Sequence, residues 1–425
     1  MKFASVCVLG LGYIGLPTAC TFAAHGLRVT GVDVNPRILD VLRNGDVHIQ
    51  EPGLMSVVQE AFHSGHLQVG SAPVPADAFI IAVPTPINAD KTADLSFVVS
   101  AAESIVPHLR SGNLIVLEST SPPRTTVDVV RPILERSGLR AGQGFYLAYS
   151  PERVLPGQIL RELVENARVI GGIDPASAEA GRDLYSVFVR GEVVLTDATT
   201  AEMVKLMENT YRDVNIALAN EFARLAEHFG VDVWQAITAA NRHPRVKILQ
   251  PGPGVGGHCI SVDPWFLVEA APQLAGLVAK ARSVNDEQPR YVVDLLRREI
   301  GSLAQRRIAV LGLTYKPDVD DVRESPAIEV VRLLAQEGAQ LTVFDPLAPQ
   351  VVLEAERVES LERAVSRAEV VLLLVAHQAL RAIEPGHLAS LTPARVAFDC
   401  HGVWDRTTWA RAGFRVRTLG APSPA

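Results

Sequence analysis

Gly10-Leu11-Gly12-Tyr13-Ile14-Gly15 stands between an apolar run at residues 5–9 and a segment of helical composition at 16–24, and a second apolar run, 27–32, ends at Asp33. Strand, glycine turn, helix and acid-ended strand in that order define a β-α-β unit with parallel strands. In this setting G-x-G-x-x-G is a dinucleotide-binding turn. Gly10 permits the tight bend, Gly12 lets backbone approach a pyrophosphate, and Gly15 lets the helix pack closely. The pyrophosphate then rests on the helix N-terminus. Asp33 lies 18 residues beyond Gly15. A carboxylate there binds a ribose 2′-hydroxyl and repels a 2′-phosphate, so NAD is expected rather than NADP, with Arg37 the one neighbour that would favour NADP.

The same design recurs. Residues 307–312 (RIAVLG) restart the strand-then-glycine pattern, 326–337 read as helix, and 341–345 (LTVFD) form another acid-ended strand. Further buried strands are expected at 78–83, 114–118, 167–170, 370–375 and 396–399, separated by helical segments. Residues 200–227 have helical periodicity with Gly230 as a stop, and Pro289 opens a helix reaching residue 300. The fold class is therefore α/β, with two Rossmann-like doubly wound domains joined by a helical connector. A chain of 425 residues exceeds one core, and we place the domains at 1–199, 200–300 and 301–425. The tail GAPSPA is expected to be disordered.

Composition narrows the function classes. Hydrophobic residues at 48% and charged residues at 20% fit a soluble globular protein, and a net charge of -7 supplies no basic field for nucleic acid. Cys7, Cys20, Cys259 and Cys400 lie far apart with no C-x-x-C pair, which argues against a disulfide framework and a zinc site; no metal is expected. The N-terminal apolar run resembles a signal peptide but is broken by the three spaced glycines. The longest later apolar stretch, VVLLLVA at 370–376, falls far short of the ~20 residues that span a bilayer. A cytoplasmic, membrane-free protein is expected.

One cysteine stands apart. PGPGVGGHC, residues 251–259, delivers Cys259 on a glycine-rich loop that brings backbone N–H groups near a ligand while leaving the thiol reachable. Cys7, Cys20 and Cys400 read as small buried hydrophobes. Lys205 and Asn209, four apart in the connector helix, share a face and could hold an oxyanion or a water, although such a pair is more often solvated surface. Taken singly, Glu152, Asp263 and Thr120 are ordinary loop residues.

Together these residues carry a resemblance. GLGYIGLP, VPTP, ESTSPPRTT, YSPERVLPG, TAEMVKLMENTYRDVN, GPGVGGHCISVDPWF and YKPDVDDVRESPA occur in the order and spacing of the UDP-glucose/GDP-mannose dehydrogenases, over essentially the whole chain. YSPERVLPG, NRHPRVKILQPGPGVGGHC and ISVDPWF look most like the members that act on UDP-N-acetyl-D-mannosamine, with those acting on UDP-N-acetylglucosamine next. The resemblance implies a Rossmann-like NAD domain, a connecting helix for dimerisation and a C-terminal UDP-binding domain. The family's nucleophile falls on Cys259, its lysine and asparagine on Lys205 and Asn209, and its water-activating acids on Glu152 and Asp263, with Thr120 beside the nicotinamide. By the same resemblance Tyr13, Ile14, Asp33, Arg37, Thr85 and Arg323 would touch NAD. Arg153, Val154, Arg212, His243, Arg245, Gly256, Tyr315 and Lys316 would line the nucleotide-sugar site, His243 and Arg245 reaching across a dimer. His401, in FDCHGVW, stands where relatives carry a more basic residue.

Chemistry agrees with the cysteine. Oxidising a C6 alcohol to an acid takes two hydride transfers, and an aldehyde yields the second only after a nucleophile has added to it. The expected activity is thus the NAD-dependent, four-electron oxidation of a UDP-N-acetylhexosamine to its uronic acid, with UDP-N-acetyl-D-mannosamine as the expected substrate. UDP-N-acetylglucosamine and UDP-glucose are the alternatives. A short-chain epimerase or reductase would need Y-x-x-x-K, and no tyrosine here has a lysine four residues on. A non-catalytic NAD-binding scaffold would not need Cys259 on its loop.

Overall fold

The structure, a computed structural model, describes residues 3–155 and 157–423. The chain divides into two compact units, Met1–Glu208 with Trp265–Pro272, and Asn209–Pro264 with Gln273–Ala425.

The first unit is built on eight strands: β1 Ser5–Leu9, β2 Arg28–Val32, β3 Leu67–Gly70, β4 Ala78–Ile81, β5 Leu114–Leu117, β6 Tyr146–Tyr149, β7 Arg168–Gly172 and β8 Val193–Asp197. Their order across the sheet is β3-β2-β1-β4-β5-β6-β7-β8. Apart from Ser5 at the start of β1, strands β1, β4 and β5 are apolar at every position because both faces are covered. Val6, Val8, Ala78, Ile80, Leu114 and Val116 enter one buried cluster, while Cys7, Leu9, Phe79, Ile81, Ile115 and Leu117 enter another on the opposite face. The order reverses at β1, flanked by β2 and β4, and in such sheets ligands bind beyond the carboxyl ends of the strands at that switch point. One pairing departs from the parallel sheet expected: β7 runs antiparallel to β6, Gly171 opposite Tyr149 and Gly172 opposite Ala148. The segment joining them does not cross back over the sheet, so the strand returns in the opposite sense.

The second unit carries six parallel strands: β9 Arg307–Leu311, β10 Gln340–Phe344, β11 Glu356–Arg357, β12 Val370–Leu373, β13 Val396–Asp399 and β14 Arg415–Thr418, in the order β11-β10-β9-β12-β13-β14. Here too alternate residues divide between two clusters, Ile308 and Val310 against Ala309 and Leu311. The expected connector helix is Ala198–Phe229, a single helix of 32 residues that passes from one unit into the other at Glu208 and Asn209. The helices expected at Pro289 and over 326–337 are Gln288–Ile300 and Pro326–Gln336.

The tail requires a correction. Gly420 donates its N–H to Glu227 Oε1 at 2.8 Å, Ala421 is fully buried, and the Ser423 hydroxyl donates to Glu299 Oε2 at 3.1 Å. Residues 420–423 are ordered because a backbone donor meets a buried carboxylate there, which a composition rule for tails does not register. The last two residues of GAPSPA lie outside the described residues.

Candidate active site

The glycine turn behaves as its spacing predicts. Gly10 has φ +93°, and a Cβ there would sit 2.4 Å from the Ala82 carbonyl oxygen; one on Gly15 would sit 1.8 Å from the Gly10 oxygen, while one on Gly12 would meet nothing within 4 Å. Gly10 and Gly15 are thus required by protein packing, whereas Gly12 faces open space. Helix Gly15–Ala24 follows with no side-chain cap and no acid in its first turn, so no carboxylate of the protein offsets the positive end of its dipole; the Leu16 N–H donates to the Gly12 carbonyl at 3.1 Å and the Thr18 N–H to the Ile14 carbonyl at 3.0 Å. Asp33 accepts from Leu11 N–H at 2.9 Å and Asn35 N–H at 2.8 Å, and its oxygens keep lone pairs for a ribose hydroxyl. These features fit a dinucleotide. Tyr13 and Ile14 complete the turn, half-buried. Arg37 is exposed one residue past the proline that opens helix Pro36–Arg43, where Asn35 caps its N–H.

The loops after β4 and β5 are stitched together. The Thr85 hydroxyl donates to the Thr120 carbonyl at 2.6 Å, and the Ser119 hydroxyl to the Val83 carbonyl at 2.7 Å. Glu152 follows β6 and is 8% exposed, its Oε1 accepting the Arg153 N–H at 2.6 Å. Lys205 Nζ donates to the Glu152 carbonyl at 2.7 Å, so the lysine is held on the glutamate's backbone. Arg153 is ion-paired to Glu208 at 2.5 Å, and Val154 beside it packs partly into the core.

In the second unit Cys259 ends the glycine-rich segment, half-buried, and its carbonyl accepts the N–H groups of Val262 at 3.0 Å and Asp263 at 2.8 Å. Asp263 opens helix Asp263–Ala270 and accepts from Asn209 Nδ2 at 2.5 Å, so the cysteine's backbone, the carboxylate and the carboxamide are linked through one turn. The loop is clasped at its far end by Asn220, which accepts the Gly252 N–H at 2.9 Å. Gly256 is buried against Tyr315: a Cβ would lie 2.9 Å from the Tyr315 Cβ and 2.4 Å from the Glu324 oxygen. Burial, with Asp321 and Cys259 nearby, pushes the Tyr315 hydroxyl up from its ordinary value. Burial also pulls the Lys316 ammonium down, helped by the positive charge of Arg212, so a bound anion would favour its charged form. Arg323 pairs with Asp321 at 2.6 Å while its carbonyl accepts the Gly257 N–H. His243 and Arg245 are exposed. His401 bonds through Nε2 to the Leu374 carbonyl at 2.8 Å and lies 3.7 Å from the position of a Gly252 Cβ; burial lowers its pKa, so it lacks the charge a more basic residue would bring.

The structure therefore gathers Gly10, Gly12, Gly15, Asp33, Thr85, Thr120, Glu152 and Lys205 in the first unit, and Asn209, Cys259, Asp263, Tyr315 and Lys316 in the second. Some groups escape sequence reasoning. His48 lies against the Leu11 carbonyl close to Asp33, with its pKa lowered by burial. Arg168 and Glu118 are buried beside Glu152. A charged residue at each end of an otherwise apolar strand run was the available signal for that pair.

Three profiles of one family match in succession: the NAD binding domain of the UDP-glucose/GDP-mannose dehydrogenase family at residues 4–189, its central domain at 199–287 and its UDP binding domain at 309–406. A UDP-N-acetyl-D-mannosamine dehydrogenase of Methanococcus maripaludis is 46% identical over 98% of this chain and 96% of its own length. An NDP-N-acetyl-D-galactosaminuronic acid dehydrogenase of Ralstonia nicotianae is 48% identical over 95% and 97%. The solved UDP-D-ManNAc dehydrogenase of Pyrococcus horikoshii superposes with a TM-score of 0.92 at 39% identity, covering 98% of this chain and 99% of that one. With the glycine turn, the acid-ended strand and the cysteine loop all in place, the chain belongs to the UDP-glucose/GDP-mannose dehydrogenase family, whose members are NAD-dependent enzymes.

Proposed function

We propose that the protein oxidises the C6 primary alcohol of a UDP-N-acetylhexosamine to the carboxylate, and specifically converts UDP-N-acetyl-D-mannosamine to UDP-N-acetyl-D-mannosaminuronate. The observation that carries this is Cys259, presented on a glycine loop and hydrogen-bonded through its carbonyl to Asp263, which in turn holds Asn209. Bound NAD supplies the hydride acceptor for each of the two oxidations. Once the alcohol has become an aldehyde, Cys259 Sγ adds to its carbon, giving a thiohemiacetal; loss of the second hydride leaves a thioester on Sγ. Lys205 and Asn209 donate to the oxygen that bears negative charge at each stage. Glu152 and Asp263 serve the water that releases the acid. Arg212 and Lys316 bind diphosphate, while Tyr315, Gly256, Arg153, Val154 and His401 line the sugar nucleotide's site. Tyr13, Ile14, Arg37, Thr85, Thr120 and Arg323 contact the cofactor with Gly10, Gly12, Gly15 and Asp33.

We assign cofactor binding to 1–199, connection and dimerisation to 200–300 and UDP-sugar binding to 301–425, a division supported by the successive family matches. Among the described residues no helix is long and apolar enough to cross a membrane. That and the absence of paired cysteines support a cytoplasmic enzyme. The Ralstonia relative's name supports a second substrate, the galactosamine epimer. The test is a panel of UDP-N-acetyl-D-mannosamine, UDP-N-acetylglucosamine, UDP-N-acetylgalactosamine, UDP-glucose and GDP-mannose with NAD, scored for uronic acid. We expect two NADH per mannosamine sugar with no free aldehyde; one NADH, or released aldehyde, overturns the four-electron scheme.

A further inference from the structure

The cation that faces Glu152 belongs to a residue the reaction scheme does not use. Because β7 runs antiparallel to β6 with Gly171 opposite Tyr149, continuing the register past Tyr149 sets Arg168 alongside Glu152. A parallel β7 would carry that side chain to the other edge of the sheet. Arg168 Nη1 lies 3.5 Å from Glu152 Oε2, and Nη2 lies 2.5 Å from Glu118 Oε1. Its Nε donates to Ser150 Oγ at 2.9 Å, and the guanidinium stacks 3.8 Å above the Tyr185 ring, whose hydroxyl donates to the same Glu118 oxygen at 2.6 Å. Arg168 and Glu118 are 5% and 2% exposed. A guanidinium stays charged whatever its surroundings, so this buried cation is permanent and two carboxylates divide it. Stability alone does not ask for such a cluster, since apolar residues of equal volume commonly serve as well.

We propose that Arg168 is a positioning residue for thioester hydrolysis: it fixes the Glu152 carboxylate that receives the proton of water, and Glu118 sets how much of the guanidinium's charge Glu152 feels. This rests on the reaction proposed above. In that step the water oxygen bonds to the thioester carbon, the carbon–Sγ bond breaks, Cys259 departs as thiolate, and the water's proton passes to Glu152. The groups facing Glu152 are Arg168 from β7, Glu118 at the end of β5, Tyr185 from helix Pro175–Tyr185, Lys205 from helix Ala198–Phe229 and its own neighbour Arg153. Burial raises Glu118 to about 7, and Glu152 adds to that rise while Arg168 opposes it, so the two carboxylates compete for one cation.

Arg168→Lys keeps the charge and loses the fork, and Glu118→Gln keeps the shape and loses the second carboxylate. Each is compared with the parent protein, using NAD and the best sugar of the panel. A parent that fails to give two NADH per sugar refutes the reaction, whereas the inference is judged only on the variants. For Arg168→Lys we expect a burst of two NADH per subunit, then turnover at least about tenfold slower than the parent. A uronyl adduct should appear on Cys259 by intact mass, with the dissociation constant for NAD within about twofold of the parent's. Turnover lost without burst or adduct, or fully retained, overturns the proposal. For Glu118→Gln the acid limb of the kcat profile should move to lower pH, because Arg168 then serves Glu152 alone; an unmoved limb also overturns it, and decides the matter if Arg168→Lys does not fold.

Discussion

Four cysteines of identical chemistry have opposite surroundings. Cys7, Cys20 and Cys400 are fully buried, and burial pushes the first to about 11, the second to about 12 and the third well up, so none offers a thiolate near neutral pH. Cys259 is only half-buried, and its carbonyl accepts the N–H groups of Val262 and Asp263. Cys259→Ser should therefore stop turnover while leaving melting temperature and UDP-sugar affinity near the parent's values, since the groups proposed to bind the nucleotide remain. A cysteine that merely filled space would respond oppositely, losing about 1–3 kcal/mol of stability with kcat intact. Asp33 makes a second residue-scale test. Asp33→Ala removes the proposed ribose partner and the repulsion of a 2′-phosphate, so the ratio of kcat/KM for NAD over NADP should fall; an unchanged ratio shows that another group selects the cofactor.

Elements show what a repeated pattern does and does not carry over. In the glycine turn, Gly15→Ala forces a Cβ into the Gly10 carbonyl and should lower stability by about 1–3 kcal/mol, whereas Gly12→Ala meets open space and should weaken NAD binding with the melting temperature held. The second sheet repeats strand, glycine and acid, yet Asp345 is closed where Asp33 is open. It accepts from the N–H groups of Leu313, Thr314, Leu347 and Ala348 and pairs with His377 Nε2 at 3.0 Å. Burial pushes its carboxyl up, but the His377 bond and the backbone donors outweigh that and hold it well below the usual carboxylate range. The native state thus binds this proton more weakly than the unfolded chain, so the stabilisation is present above the ordinary value of about 3.9 and is lost as pH falls below it. Asp345→Asn should cost about 1–3 kcal/mol at neutral pH by leaving buried donors unsatisfied, and should flatten the acid branch of the stability curve, read by denaturant melts at several pH values. Sequence periodicity anticipated both sheets' apolar strands because burial on two faces writes itself into every position. It missed β3, β8, β11 and β14, which are short, at an edge or interrupted by charge, and β6, whose run YLAY is too brief to stand out.

At the scale of the whole molecule, the chemistry legible in sequence was the part held in contiguous motifs; Arg168 and Glu118 stayed hidden because their meeting depends on one antiparallel register, which no local pattern encodes. The connector helix carries a further whole-molecule consequence. Along its 32 residues Met203, Met207, Tyr211, Leu218, Leu225 and Phe229 recur at spacings of four and seven and stay exposed, Met207 at 57%, Tyr211 at 61% and Phe229 at 71%. A continuous apolar stripe on a helix about 48 Å long is costly in water and suits a second copy of the same helix, which a two-fold axis supplies without any new surface. The protein should therefore run as a dimer in light scattering, and Met207→Glu with Leu218→Glu should give a folded monomer. Dimerisation also tests the roles of His243 and Arg245, which are exposed in the single chain. If they serve the partner's site, a Cys259→Ser protein and a His243→Ala, Arg245→Ala protein, each inactive alone, should regain activity when mixed and re-equilibrated. Each mixed dimer then holds one complete site, and statistical exchange makes half the dimers mixed, so recovery should approach about a quarter of the parent's rate. No recovery from a mixture shown by mass to contain mixed dimers would place both residues in their own chain's site.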